Sequence, residues 1–177
     1  KAIQTAINGG VKVIEHGQLM DEATAQLMAE KDIWLSGQAF LANEYSNPTQ
    51  GDAKIKQQQV AKGTDTAFKL AKQYDLKVAW GTDILFNPAM TKNQGAILTT
   101  MTKWYSPADV LSMATAGNAE LLTLSGKRSP YQGKLGVIEE DAVADILLVD
   151  GNPLKDLDLI AKPETYLMVI MKDGKVY

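Results

Sequence analysis

Short apolar runs alternate with helical repeats through the first half of the chain. The helical segments carry apolar residues every three or four positions, which is typical of helices packed on one face. Strand, helix and strand within about 25 residues form a βαβ unit, which predicts a parallel sheet with right-handed crossovers. The predicted strands are 11–15, 33–35 and 77–81, and the predicted helices are 1–8, the segment that Asp21 caps, and 53–74.

The second half begins with helices and then changes to strands and turns. Ser106-Pro107-Ala108-Asp109 predicts a helix start, with a hydroxyl at the N-cap, proline at N1 and a carboxylate at N3. From Gly126 the helical periodicity gives way to short strands, and Asp173-Gly174 predicts a hairpin turn. We therefore divide the chain into strand–helix units, 1–125, and a β-rich segment, 126–177. The predicted helices here are 97–104, 106–114 and 118–125, the strands are 133–138, 143–149 and 167–171, and the predicted loops of the whole chain are 38–52 and 84–91.

Two predicted strands end at an ionisable side chain. His16, the only histidine, follows Val11–Glu15, and Asp83 follows Val78–Gly81. The carboxyl ends of parallel strands are where α/β proteins place their chemistry. His16 and Asp83 are therefore candidates for two members of one metal site. A hydrogen-bonded structural histidine, and an aspartate that caps a helix or closes a turn, are the alternatives that the spacing leaves open.

Composition argues against several classes of function and of metal site. Lys and Arg number 18 against 21 Asp and Glu, so 18 − 21 gives a net charge of −3 and no basic surface for nucleic acid. The apolar stretches 146–149 and 166–171 are too short to cross a bilayer. Without cysteine there is no thiolate metal site. Catalytic zinc usually has at least three protein ligands, so one histidine requires further ligands from outside these residues, or an unusual mechanism.

An ordered set of motifs spans nearly the whole chain. The segments are 2–17, ending Val13-Ile14-Glu15-His16-Gly17; Ala79-Trp80-Gly81-Thr82-Asp83; 106–119; 135–154, with Ala144-Asp145-Ile146-Leu147-Leu148-Val149; and 169–177. Together they resemble the amidohydrolase superfamily, with the imidazolonepropionase-like and Xaa-Pro dipeptidase-like enzymes as the most similar subgroup. In that resemblance the first two segments correspond to the sixth and eighth barrel strands. The later segments correspond to the helix after the barrel and the closing β-segment.

The resemblance implies an α/β fold, namely the C-terminal part of a (β/α)8 TIM-like barrel followed by a small β-sandwich segment. It implies hydrolysis of a peptide-like or cyclic amide C–N bond at one or two divalent metal ions, usually zinc. Asp83 would be a metal ligand and the catalytic proton shuttle. His16 would be a metal ligand, or a substrate contact in a one-metal enzyme. Tyr45 and Asn87, on the loops after the seventh and eighth strands, would contact substrate.

The remaining ligands of the family would lie upstream of Lys1. We therefore expect a C-terminal portion that is inactive without the missing N-terminal part of the same protein. Its partners would be a small amide or dipeptide substrate, with neither nucleic acid nor membrane. Three strands of an eight-stranded barrel leave sheet edges open, so the isolated chain should associate. Homo-oligomerisation and the compartment, cytoplasm or periplasm, stay open. The alternative function is a non-catalytic α/β module that assembles with a partner chain.

Overall fold

The computed structural model describes residues 1–85 and 87–177 and divides into two compact units, Lys1–Thr91 and Lys92–Tyr177. The first unit is α/β, and the second consists of helices followed by an antiparallel sheet. The mixed α/β class is therefore confirmed. The boundary predicted at residue 126 lies inside the second unit. That the strand–helix units end at this residue stays a prediction.

The first unit is built from strands and helices in alternation. Its three strands form one sheet in the order β1-β2-β3, and both strand pairs are parallel. In register, Ile14 lies opposite Leu35, and Leu35 lies opposite Val78. The parallel sheet predicted from the βαβ pattern is confirmed, with strand ends shifted by a few residues. The elements are α1 (Ala2–Asn8), β1 (Val13–Glu15), α2 (Glu22–Glu30), β2 (Trp34–Gly37), α3 (Gly51–Gln73) and β3 (Val78–Trp80).

Local signals in the sequence account for the limits of these helices. Asp21 is the N-cap of α2, and its Oδ1 accepts a hydrogen bond from the backbone N–H of Thr24 at 2.9 Å, as the sequence predicted. Apolar side chains from the helices and the strands form the core, and a Cβ added to Gly37 would lie 2.9 Å from Phe68 of α3. This close approach packs α3 against the end of β2, next to the loop that follows it. The most buried apolar residues of this core are Ala25, Met28, Leu35, Ala71 and Ala79.

Gly63 allows α3 to approach the loop after β1. A Cβ at this position would lie 2.3 Å from the backbone oxygen of Gln18. We expect Gly63→Ala to lower the free energy of unfolding by about 1–2 kcal/mol, because overpacking costs about 1–3 kcal/mol and helix propensity returns up to about 1 kcal/mol. Urea denaturation of both proteins measures the difference. Gln58→Ala, at an exposed position of the same helix, is the control. A stabilised Gly63→Ala variant would contradict the close packing.

The second unit begins with helical segments. They are α4 (Gln94–Thr99), a 3₁₀ turn (Thr100–Lys103), α5 (Pro107–Ser112), a π-helical turn (Met113–Gly117) and α6 (Asn118–Thr123). The predicted start at Ser106 is confirmed as a capping box, in which Ser106 Oγ accepts from the Asp109 backbone N–H and Asp109 accepts from that of Ser106. A 3₁₀ segment, Pro88–Asn93, replaces the end of the loop predicted at 84–91, and Phe86 of that loop lies outside the described residues.

The strand predicted at 133–138 is wrong. The described structure has only an isolated bridge between Lys134 and Ala142 in this segment. Gly136 has φ +68°, and a Cβ there would lie 2.4 Å from the backbone oxygen of Thr115 in the π-helical turn. The segment is therefore shaped by packing against a helix, and its left-handed glycine interrupts the extended backbone that a strand needs.

The end of the chain forms one antiparallel sheet in the order β4-β5-β6. Its strands are β4 (Ile146–Val149), β5 (Leu167–Lys172) and β6 (Lys175–Val176), which confirms the hairpin turn at Asp173-Gly174. Before β5 lie a 3₁₀ turn (Leu157–Leu159) and α7 (Pro163–Tyr166). Leu147 and Leu148 are half exposed. A second sheet packed against this one, as in a sandwich, does not occur within the described residues of this unit. No helix of the described residues combines the length and hydrophobicity of a bilayer span.

Candidate functional site

His16 and Asp83 lie at the carboxyl edge of the parallel sheet. His16 directly follows β1, and its backbone N–H donates to the Ser36 carbonyl of β2 at 3.0 Å, which extends the ladder by one residue. Asp83 lies three residues after the end of β3. The sheet order places β2 between their strands, so both side chains reach across the central strand. His16 Nε2 and Asp83 Oδ2 are 4.0 Å apart.

Both residues have a left-handed backbone conformation. His16 has φ 70° and Asp83 has φ 52°. Aspartate and histidine adopt this region more readily than most residues with a Cβ, and Asp32, Asp75, Asp141 and Asp173 also have positive φ. Because both side chains are partly exposed, at 50% and 33%, a simple ion pair between them would contribute little stability. The ion pair alone therefore gives no reason for placing the two side chains at one edge.

Two side chains of the loop after β2 orient the His16 ring. Gln38 Oε1 lies 2.9 Å from His16 Nδ1, and Phe40 stacks on the imidazole with ring centroids 5.9 Å apart. Because an amide oxygen only accepts hydrogen bonds, a hydrogen bond in this contact requires the proton on Nδ1. In the neutral ring Nε2 then has a lone pair, and this is the nitrogen nearer to Asp83.

This arrangement fits one part of a metal site. An imidazole lone pair and a carboxylate oxygen both donate electron pairs, and at 4.0 Å they are too far apart for a hydrogen bond. Both are donor types that zinc accepts. Among the described residues no group of three or more His, Asp, Glu or Cys side chains could hold a metal ion. His16 and Asp83 could therefore supply two ligands but not a complete set.

Tyr45 and Asn87, the predicted substrate contacts, lie on separate loops. The backbone N–H of Tyr45 donates to Asn43 Oδ1 at 3.1 Å, and the Asn87 carbonyl accepts from the Met90 N–H at 2.9 Å. Both contacts are local to their loops and involve neither His16 nor Asp83. Contact of Tyr45 or Asn87 with substrate therefore stays a prediction.

Sequence reasoning missed Gln38 and Phe40. It assigned residue 38 to a polar loop, although this glutamine is 6% exposed. One signal was present: Gln38 follows Gly37 directly at the end of a buried strand, as His16 follows Glu15. A polar residue at the end of each of three parallel strands predicts convergence at one edge.

Comparison with models of protein families covers the whole chain and not only the sheet edge. The family model described as "Amidohydrolase family" matches residues 1–176. The chain belongs to the amidohydrolase family. This confirms the resemblance seen in the ordered motifs. It also places the three-stranded sheet within a fold that is consistent with part of a TIM barrel.

Individual proteins of known sequence or structure match almost the whole chain. An ochratoxinase of Aspergillus niger is 28% identical over 180 residues, covering 99% of this chain and 35% of the ochratoxinase. A solved amidohydrolase structure has 32% identity and a TM-score of 0.81, over 99% of this chain and 42% of that one. A prolidase complexed with N-methylphosphonate-L-proline has 27% identity and a TM-score of 0.80, over 99% and 42%. The chain thus spans less than half the length of these relatives.

Proposed function

We propose that this chain supplies the C-terminal part of the active site of a metal-dependent amidohydrolase. The substrate would be a peptide-like or cyclic amide, and the reaction would be hydrolysis of its C–N bond. The observation that carries the proposal is the 4.0 Å approach of His16 Nε2 and Asp83 Oδ2 at the carboxyl ends of two parallel strands. Membership of the amidohydrolase family supports this function over the non-catalytic module.

His16 Nε2 and the Asp83 carboxylate would hold a divalent metal, which we propose to be zinc. The remaining ligands would come from a part of the protein outside these residues, since a catalytic zinc takes three protein ligands. When bound, such an ion polarises a carbonyl oxygen and lowers the pKa of a bound water towards neutrality. The half-exposed His16 leaves this edge accessible to the remaining ligands and to substrate.

Asp83 would move the proton. One carboxylate oxygen accepts a proton from the attacking water and then donates it to the nitrogen of the departing amine, which would otherwise leave as an unstable anion. Asp83 suits this role because its carboxylate is partly exposed and lies three residues after the end of β3, within 4.0 Å of His16 Nε2. Tyr45 and Asn87 would contact the substrate from the two loops that flank the site.

Metal removal tests this function in the complete natural protein. We expect dialysis against a chelator to abolish hydrolysis of N-acyl amino acid and Xaa-Pro dipeptide substrates, and stoichiometric zinc to restore it, because the metal would polarise the amide carbonyl and activate the attacking water. Zinc content and substrate turnover are measured on the same samples. Full turnover in protein shown to be free of metal would rule out the proposed mechanism.

A further inference from the structure

We propose that Gln38 is a positioning residue that selects the tautomer of His16 and thereby directs Nε2 towards the metal. The inference rests on the proposed function, because it concerns the same site. It adds a residue that does not itself bind metal or substrate.

The position of Gln38 in the fold suits a positioning role for His16. It follows β2, the central strand of the sheet, and so stands between the strand ends that carry His16 and Asp83. Its Oε1 is 2.9 Å from His16 Nδ1, and its side chain is 6% exposed. Burial restricts the rotamers of this side chain. A hydrogen bond to one ring nitrogen sets which of the two nitrogens is available for a metal.

Gln38 and Phe40 together restrain the His16 ring. Phe40 stacks against the imidazole at an interplanar angle of 27°. The ring is therefore restrained by stacking on its face and by a hydrogen bond at its edge. Stacking limits its tilt, while the hydrogen bond to Gln38 is made by Nδ1 and leaves Nε2 on the side of Asp83.

The test compares metal affinity in three variants of the complete protein. Gln38→Met keeps the length and shape of the side chain but replaces the amide oxygen by a weak acceptor. We expect zinc affinity, measured by competition with a chelator, to fall about 10–100-fold, the usual cost of losing a partner behind a metal ligand. Gln38→Glu retains an oxygen acceptor and should bind zinc at least as tightly as the unaltered protein.

Gln18→Met is the matched control. Gln18 is also a buried glutamine, 7% exposed, and its amide nitrogen has no hydrogen-bond partner among the described residues. This substitution should leave zinc affinity unchanged. Urea unfolding of the metal-free proteins separates loss of zinc affinity from loss of folding. A purely structural role would lower the free energy of unfolding along with the zinc affinity, whereas a positioning role would lower the zinc affinity of a variant that stays folded.

The outcomes separate this inference from the function on which it rests. Weak binding by Gln38→Met, with normal binding by Gln38→Glu and Gln18→Met, would support the positioning role. Equal zinc affinity of Gln38→Met and Gln18→Met would overturn it and leave the proposed metal site intact. If Gln38→Met does not fold, weak binding by a folded Gln38→Glu variant would overturn it. Failure of the unaltered protein to bind zinc would overturn the proposed function itself.

Discussion

Asp83→Asn in the complete protein is expected to lower kcat for amide hydrolysis by about 100- to 10,000-fold, the usual contribution of a positioned proton carrier. Asparagine has the same shape and tolerates the left-handed backbone that Asp83 adopts, with φ 52°, so folding should be preserved. An amide, however, cannot accept the proton of the attacking water. Steady-state kinetics with N-acyl amino acid and Xaa-Pro substrates measures the loss, and urea denaturation verifies the fold.

The chain offers a closely matched control for this substitution. Asp75 is exposed and has φ 49°, but it precedes β3, whereas Asp83 follows it. It therefore lies at the opposite end of the same strand, away from His16. Asp75→Asn makes the same chemical change in the same backbone conformation and should retain normal kcat. Normal turnover in Asp83→Asn would remove Asp83 from the catalytic mechanism.

His16→Asn is expected to lower zinc affinity by more than about 100-fold, since losing even a partner behind a metal ligand costs about 10–100-fold. Asparagine accommodates the φ of 70° at this position, and no other histidine of the chain can replace the lost nitrogen. Chelator competition measures the affinity. The hydrogen bond from Nδ1 to Gln38 favours this ligand role, because it leaves Nε2 with a lone pair.

A substrate contact by His16 would give a different result. In that case His16→Asn would keep its zinc and show a raised KM, because the imidazole would be lost from the substrate site only. Metal content and the separate values of kcat and KM, measured on one preparation, distinguish the two roles. A normal zinc content would therefore contradict the ligand role proposed for His16.

Local rules were sufficient for much of the fold. The Asp21 and Ser106 caps, the parallel strands and the Asp173-Gly174 turn could all be predicted from neighbouring residues, because their geometry depends on spacing of a few positions. The strand predicted at 133–138 failed for the opposite reason. Gly136 packs against Thr115, some 20 residues earlier in the chain, and local sequence carries no information about that contact.

For the candidate site, the sequence by itself determined that His16 and Asp83 follow buried strands, and hence that both lie at one sheet edge. Only the tertiary structure decided that Nε2 and Oδ2 come within 4.0 Å, and that Gln38 contacts Nδ1. The physical reason is that strand order and side-chain direction depend on how three strands and their helices pack together. Periodicity places a residue on a strand, whereas packing determines which atoms meet across the sheet.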